Sequence, residues 1–270
     1  MEIDRRAFIA SLGGAAVVEA MSSEAKAEAL EHYMSDLLDE ALATPAAEGG
    51  QVVAAPPEAT ARRGTGSLFV PSGPADNRRM PELAPMPAKP TLEDFFKLRW
   101  APANHVLQSA TRALKTGMSE EVILACLLHD VVQNLIKVDH GWWGAQMIRP
   151  YVTEKIAWAI NYHQALRFYP DTSVGYEYPE LYVRIYGKDY VPPDYIKQAY
   201  EYARKHKWYM EARLITVNDL YAFDRNAQVS LDPFIDIIGR HFKQPKEGLG
   251  YDNSPTSHMW RTMMFPDNPL

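Results

Sequence analysis

The chain has a single cysteine, Cys126, among 270 residues. A lone thiol cannot close an intrachain disulfide, and it excludes zinc or iron–sulfur sites built from several cysteines. Long apolar runs are also missing: the longest, near Phe8 to Val18, is too short to cross a bilayer as a helix. There is no excess of basic charge. Lys and Arg number 28 against 34 Asp and Glu, a formal net charge of -6, which argues against nucleic acid as the main partner. Apolar alternation at period two is scarce, and no dinucleotide-binding or phosphate-loop glycine pattern occurs. With 47% hydrophobic and 23% charged residues, the composition is nonetheless that of a folded globular protein. The informative residues are the eight histidines.

The chain divides by composition. Arg5 and Arg6 precede a short, weakly apolar stretch containing Phe8 and Leu12. This start is similar to a bacterial twin-arginine export signal. Residues 1–27 therefore read as a signal directing the protein to the periplasm, or as an N-terminal helix retained on a cytoplasmic protein. Residues 28–43 continue a helical pattern with Leu30, Met34, Leu37, Leu38 and Leu42. From 44 to 90 the composition changes: nine of the 20 prolines fall there, with Gly49, Gly50, Gly64, Gly66 and Gly73. Such a segment cannot propagate a helix and is too poor in apolar residues for a core of its own. It reads as an arm or linker, long enough to wrap a second copy of the chain in a homo-oligomer.

From 91 to 242 the pattern is helical. Thr91 with Asp94 marks a helix start. A second helix is expected over Asn104 to Lys115, stopping at Gly117. Ser119 caps a third, apolar from Val122 through Leu127 and on to Val131 and Leu135. A fourth covers Asp139 to Arg149, and Thr153 opens a fifth that runs to Leu166. Asp194 begins a helical region reaching Asn226 with one break, and Asp232 to Phe242 forms the last. The expected fold is all-α, a helical bundle of one domain, followed by an extended C-terminal tail over 243–270.

The sharpest local feature is His129-Asp130, near the end of the third, apolar helix. An imidazole and a carboxylate side by side can converge on a metal ion, and a carboxylate can bridge two. A His-Asp dipeptide alone is more often structural. Here it has company on neighbouring helices: His105 before it, His140 and His163 after it, and Asp219 deep in a later apolar helix. A buried carboxylate is costly without a partner. Four histidines and two aspartates on consecutive helices make a ligand set of the right size for two metals. Asp139 and Asp224 are alternative carboxylates. His32, His206, His241 and His258 have no metal-like setting. Trp142 and Trp143 read as a water shield, or as core or interface aromatics. The loop Asp171 to Pro193, with Tyr176, Tyr178, Tyr182, Tyr186 and Tyr190, reads as an ordered surface loop or as a lid.

The order His … His-Asp … His … His … Asp resembles that of the HD-domain superfamily. Three stretches, His105-Val-Leu-Gln-Ser-Ala, His163-Gln-Ala-Leu-Arg-Phe-Tyr and Tyr209-Met-Glu-Ala-Arg, look like its mixed-valent di-iron oxygenases, the group of myo-inositol oxygenase and phosphonate-oxidising HD enzymes. The resemblance covers roughly Phe95 to Asp224. It implies an HD-domain bundle with two iron ions as cofactor, manganese or zinc being compatible with the same donors. His105, His129, Asp130 and Asp219 would hold one iron. Asp130 would bridge to a second, completed by His140 and His163, and Arg167 would contact substrate. The implied partners are O2 and a small hydroxyl-bearing molecule, oxidised or cleaved. His140 follows Asp130 by only ten positions, fewer than the family leads one to expect. The stretch Phe95 to Trp100 lacks the tyrosine and glutamate of phosphonate-specific members, so the resemblance does not extend to phosphonate oxidation. Two other readings stand beside the oxygenase. One is a metal-dependent phosphohydrolase, using some of Arg112, Lys115, Lys137, Arg149, Lys155 and Arg167. The other is a non-catalytic binding protein of the same fold.

Overall fold

The computed structural model describes residues 83–265 apart from 101–102, 134, 137–138, 181, 184–186 and 225. The expected signal or helix over 1–27, the helix over 28–43 and most of the 44–90 arm lie outside the described residues. Within them there are nine α-helices and no strand, only an isolated bridge between Asp171 and Tyr176. None of these helices is long and apolar enough to cross a membrane.

Local chemistry sets the helix starts. Helix α1 (Leu92–Leu98) opens on a reciprocal capping box: Asp94 N–H donates to Thr91 Oγ1 at 3.0 Å, and Thr91 N–H to Asp94 Oδ2 at 2.8 Å. Helix α2 spans Asn104–Lys115 and stops before Gly117, whose φ of 70° suits a residue without Cβ. Helix α3 (Glu120–Leu128) is capped by Ser119 and α5 (Glu154–Leu166) by Thr153, each hydroxyl accepting from the backbone N–H three residues on. Between them lies α4 (His140–Ile148). Helices α6 (Asp194–Ala203) and α7 (Tyr209–Leu220) are separated by the expected break. After a 3-10 turn at Asp232–Phe234 come α8 (Ile235–His241) and α9 (Ser257–Met264).

Every residue of α3 from Val122 to Leu128 is buried. A helix apolar all round belongs in the middle of a bundle, and α3 packs against α2, α5, α7 and α8. Helix α5 in turn packs on α4, α6 and α7. The centre of the molecule is thus where α2, α3, α5 and α7 meet.

Three expectations need correction. Helix α3 ends at Leu128 rather than running on through Leu135, so His129 and Asp130 stand in the turn that follows it. Helix α7 ends at Leu220 rather than Asn226. Over its described part, 243–265, the C-terminal stretch is not an extended tail: α9 buries Trp260 and Met264 completely. Trp260 meets Phe95 edge-on at 5.3 Å and donates its indole N–H to Met147 O at 3.3 Å. Helix α9 has two turns, with apolar contacts at Trp260, Met263 and Met264, too short a run for periodicity to stand out against Gly248, Gly250 and Pro255 just before it. Gly248 is required where it stands. At φ 102°, an added Cβ would lie 2.6 Å from Lys89 Cα.

Tyr151 ties this C-terminal stretch to the bundle. Its hydroxyl donates to Asp252 at 3.0 Å and shares a 2.6 Å hydrogen bond with Ser254, and burial pushes its pKa up to about 12. Tyr151→Phe keeps the ring stack on Phe242 (5.3 Å) and removes only the hydroxyl. Chemical denaturation should register a loss of about 1 kcal/mol; an unchanged midpoint would show that 243–265 is not anchored there.

Candidate metal centre

All six expected ligand residues come together. His105 stands on the first turn of α2, His129 and Asp130 just past α3, His140 at the start of α4, His163 near the end of α5 and Asp219 near the end of α7. All are buried, with Asp130 6% and Asp219 3% exposed. Ring centroids of His105 and His129 lie 5.3 Å apart, of His129 and His163 5.2 Å, and of His140 and His163 5.2 Å.

Two triads emerge, His105–His129–Asp130 and Asp130–His140–His163; in each, one potential ligand atom per residue lies within 4.8 Å of the others. Asp130 belongs to both. Its Oδ1 faces His140 Nε2 at 3.2 Å, and its Oδ2 faces His129 and His105 Nε2 at 3.4 and 3.5 Å. Asp219 closes the first triad, with Oδ1 2.8 Å from His105 Nε2 and 3.7 Å from His129 Nε2.

The rings are aimed from behind. Nδ1 of His129 meets Cys126 O at 2.7 Å, Nδ1 of His163 meets Ile160 O at 2.6 Å, and Nδ1 of His105 meets Ala222 O at 3.2 Å. A carbonyl accepts only, so each Nδ1 carries a proton; Nε2 of His105 donates to Asp219 Oδ1 at 2.8 Å, while Nε2 of His129 and of His163 then faces inward. This is the arrangement a metal-binding imidazole needs. His129 Nε2 is buried and makes no hydrogen bond, an unmet polar atom of the kind proteins avoid. His140 and His163 point their Nε2 atoms at each other across 3.2 Å. A cation in each triad would satisfy these nitrogens, His129 in the first and His140 with His163 in the second.

The electrostatics agree. Burial alone would raise the pKa of Asp130 and Asp219, but neighbouring charges win. The imidazoles of His129, His140 and His105 hold Asp130 below its ordinary value, and Arg167 with the His105 hydrogen bond holds Asp219 well below. Burial, reinforced by His140 and His129, lowers His163 well below the ordinary imidazole value and keeps it a neutral donor. Burial also disfavours a charged His105, yet Asp219 and Asp130 more than offset it and raise its pKa. Two ionised carboxylates thus pull positive charge to the spot where the rings converge. Imidazole nitrogen and carboxylate oxygen without sulfur suit iron, manganese or zinc.

The turn into α4 passes through Asp139. Asp139 adopts φ 53°, the one left-handed non-glycine conformation among the described residues, and Asp tolerates it better than most. The chain thereby re-enters α4 with His140 directed back at Asp130. Gly141, next along, has no room for a side chain: an added Cβ would sit 2.8 Å from Ile160 O and 3.2 Å from the His163 ring.

Arg167 is buried, with Nε 3.6 Å from Asp219 Oδ2. A cavity opens beside this pair, and its wall includes Thr216, Tyr176 and Tyr182. The Tyr-rich loop therefore contributes to the wall: Tyr176 is 1% exposed and its hydroxyl donates to Arg167 O at 2.7 Å. Sequence reasoning did not find Leu220 and Phe223, which also line the cavity. Phe223 stacks on His105 at 4.4 Å, but it follows the end of α7, where no helical period marks it.

The remaining candidates stay outside. Asp224 is exposed, its backbone N–H donating to Gln108 Oε1, and Asp139 serves the turn. Trp142 and Trp143 are 48% and 38% exposed and meet edge to face at 4.7 Å, so they do not shield the centre. His206 stacks on Trp158, His241 pairs with Glu120, and His258 is exposed; His32 lies outside the described residues. Comparison with known proteins finds no family model and no curated relative that the chain matches.

Proposed function

We propose that this protein is an HD-domain oxygenase holding two iron ions, one on His105, His129, Asp130 and Asp219, the other on Asp130, His140 and His163. The observation that carries the reading is Asp130, whose two oxygens face different groups of imidazoles. One carboxylate serving two triads is the arrangement a bridged pair of cations needs and a single-metal site does not. Iron bound there would supply Lewis-acid activation of a substrate oxygen and electrons for dioxygen.

The protein's own part follows from its side chains. The carbonyls of Cys126, Ile160 and Ala222 fix the rings. The Asp219 carboxylate ties the first triad to Arg167, which orients an anionic or hydrogen-bonding substrate group at the cavity. Tyr176 and Tyr182 keep bulk water from that mouth.

The phosphohydrolase reading has less support. Of the basic residues that could attend a phosphate, Arg112, Lys115 and Arg149 are exposed, and Lys155 pairs with Glu121. Lys137 lies outside the described residues. Arg167 alone among the rest stands at the centre.

The test is metal analysis of anaerobically purified protein, with electron paramagnetic resonance and an oxygen electrode. Two irons per chain, a mixed-valent signal that substrate perturbs, and oxygen uptake are the expected results. Release of phosphate from generic esters with no oxygen uptake would replace the oxygenase with a hydrolase. A chain that binds no metal would end the reading altogether.

A further inference from the structure

The cavity beside Asp219 has a volume of about 50 Å³, room for molecules the size of water or dioxygen. Sites that hold an organic ligand are several times larger, about 300–1,000 Å³. A hydroxyl-bearing substrate therefore does not fit while the wall stands as it does. Thr216 and Leu220 of that wall belong to α7, but Tyr176 comes from the Tyr-rich loop, and that part of the loop is tied down at few points. Asp171 and Tyr176 close a small lobe, Asp171 N–H donating to Tyr176 O at 2.8 Å and Tyr176 N–H to Asp171 O at 3.0 Å. Gly175 turns the chain within it at φ 67°.

The lobe is fastened to the first turns of α7. The Tyr209 hydroxyl donates to Asp171 Oδ2 at 2.6 Å. Arg213 Nε donates to the Tyr209 oxygen at 3.0 Å and lies 3.7 Å from the same carboxylate oxygen. Arg213 Nη1 donates to Leu166 O at 2.9 Å, and its guanidinium carbon stands 5.0 Å from the Tyr176 ring centroid. Arg213 is wholly buried, yet its Nη2 makes no hydrogen bond. An N–H left unmet inside a protein is unfavourable. The shut lobe bears that cost, and an open one, admitting water, relieves it. Strong bonds at one place hold the lobe down while an unmet donor beneath favours its release.

We infer that the lobe Asp171–Tyr176 is a gate over the metal centre and that Asp171, Tyr209 and Arg213 are its latch. Shut, it passes molecules the size of dioxygen or water; swung out, it admits an organic substrate, after which closure again keeps bulk water from the centre. The purpose of the gate rests on the oxygenase reading above, whereas the latch is a matter of this chain's own hydrogen bonds. Tyr209 and Arg213 are positioning residues, acting on the centre only through the lobe.

The test is hydrogen exchange of the full iron-loaded chain, resolved to single amides, together with the rate of iron loss to EDTA. Tyr209→Phe keeps the ring and removes only the hydroxyl; Asp171→Asn keeps the shape and removes the charge. In both variants the amides of Asp171 and Tyr176 should exchange about tenfold faster, as expected for losing one hydrogen bond to a charged group. Amides of α3 should be unmoved, and iron loss should speed by a similar factor from an unchanged starting content. Unchanged exchange at Asp171 and Tyr176, acceleration spread equally over α3, or faster exchange without faster iron loss overturns the gate and leaves the metal reading standing. A chain that binds no metal ends the metal reading and with it the gate's purpose, while faster exchange confined to the lobe would still establish the latch.

Discussion

Asp130→Asn should abolish metal binding at both triads at once, taking bound metal from two ions per chain to none. The carboxylate faces His140 through Oδ1 and His129 and His105 through Oδ2, so one substitution removes charge from both groups. Losing a residue that merely orients a ligand costs about 10–100-fold in metal affinity; losing the shared donor itself should exceed that. The thermal response separates this from simple damage. Wild-type protein should melt lower once its metal is chelated, because ligand that binds only the folded state stabilises it. The variant should melt at the same temperature with and without chelator. Metal-free, it should also be less stable than metal-free wild type, because the imidazoles of His129, His140 and His105 lose the ionised carboxylate they hold; the missing response to chelator is what marks the loss of metal. A variant that keeps one or both metals would remove Asp130 from the centre.

Gly141→Ala gives the second large effect, and two terms of opposite sign decide it. Alanine favours helix over glycine by about 1 kcal/mol in a helix interior, less near a start. Against this, the new methyl would stand 2.8 Å from Ile160 O and 3.2 Å from the His163 ring, and that carbonyl is the one orienting His163. Overpacking of this kind costs about 1–3 kcal/mol, so the steric term wins. Metal content should fall from two ions to one, because His140 and His163 separate while His105 and His129 are untouched. Gly144→Ala, three residues along the same helix, is the control. Its methyl would make only ordinary contacts, 3.5 Å from Val131 Cγ1 and 3.7 Å from His129 O, so both metals should remain and stability should hold or rise. Equal behaviour of the two variants would show that the close approach at Gly141 does not matter.

Much of the bundle is legible in the chain because short-range chemistry dictates it. Ser119, Thr153 and the Thr91–Asp94 pair announce helix starts through bonds made within four residues. Gly117 announces an end for the same reason. The six candidate ligand residues can be picked out because ionisable side chains in apolar surroundings need a purpose. The cavity is another matter. Phe223 and Leu220 acquire their role only when the end of α7, the Tyr-rich loop and α2 meet, and nothing local distinguishes them from other aromatic and aliphatic residues. Gly141 is hidden likewise, since its requirement comes from a carbonyl 19 positions later. The burial of Trp260 depends on α1 and α4, far away in sequence.

The far nitrogens of His129 and His163 are each held by a main-chain oxygen three residues earlier. Main-chain oxygens are the same whatever letter is written above them. Positions 126 and 160 could change identity while the imidazoles kept their bearing, provided the turn geometry persisted. Proteins with little lettering in common could therefore carry the same centre, and a shared ancestry would survive in the spacing of six residues after the words between them had worn away.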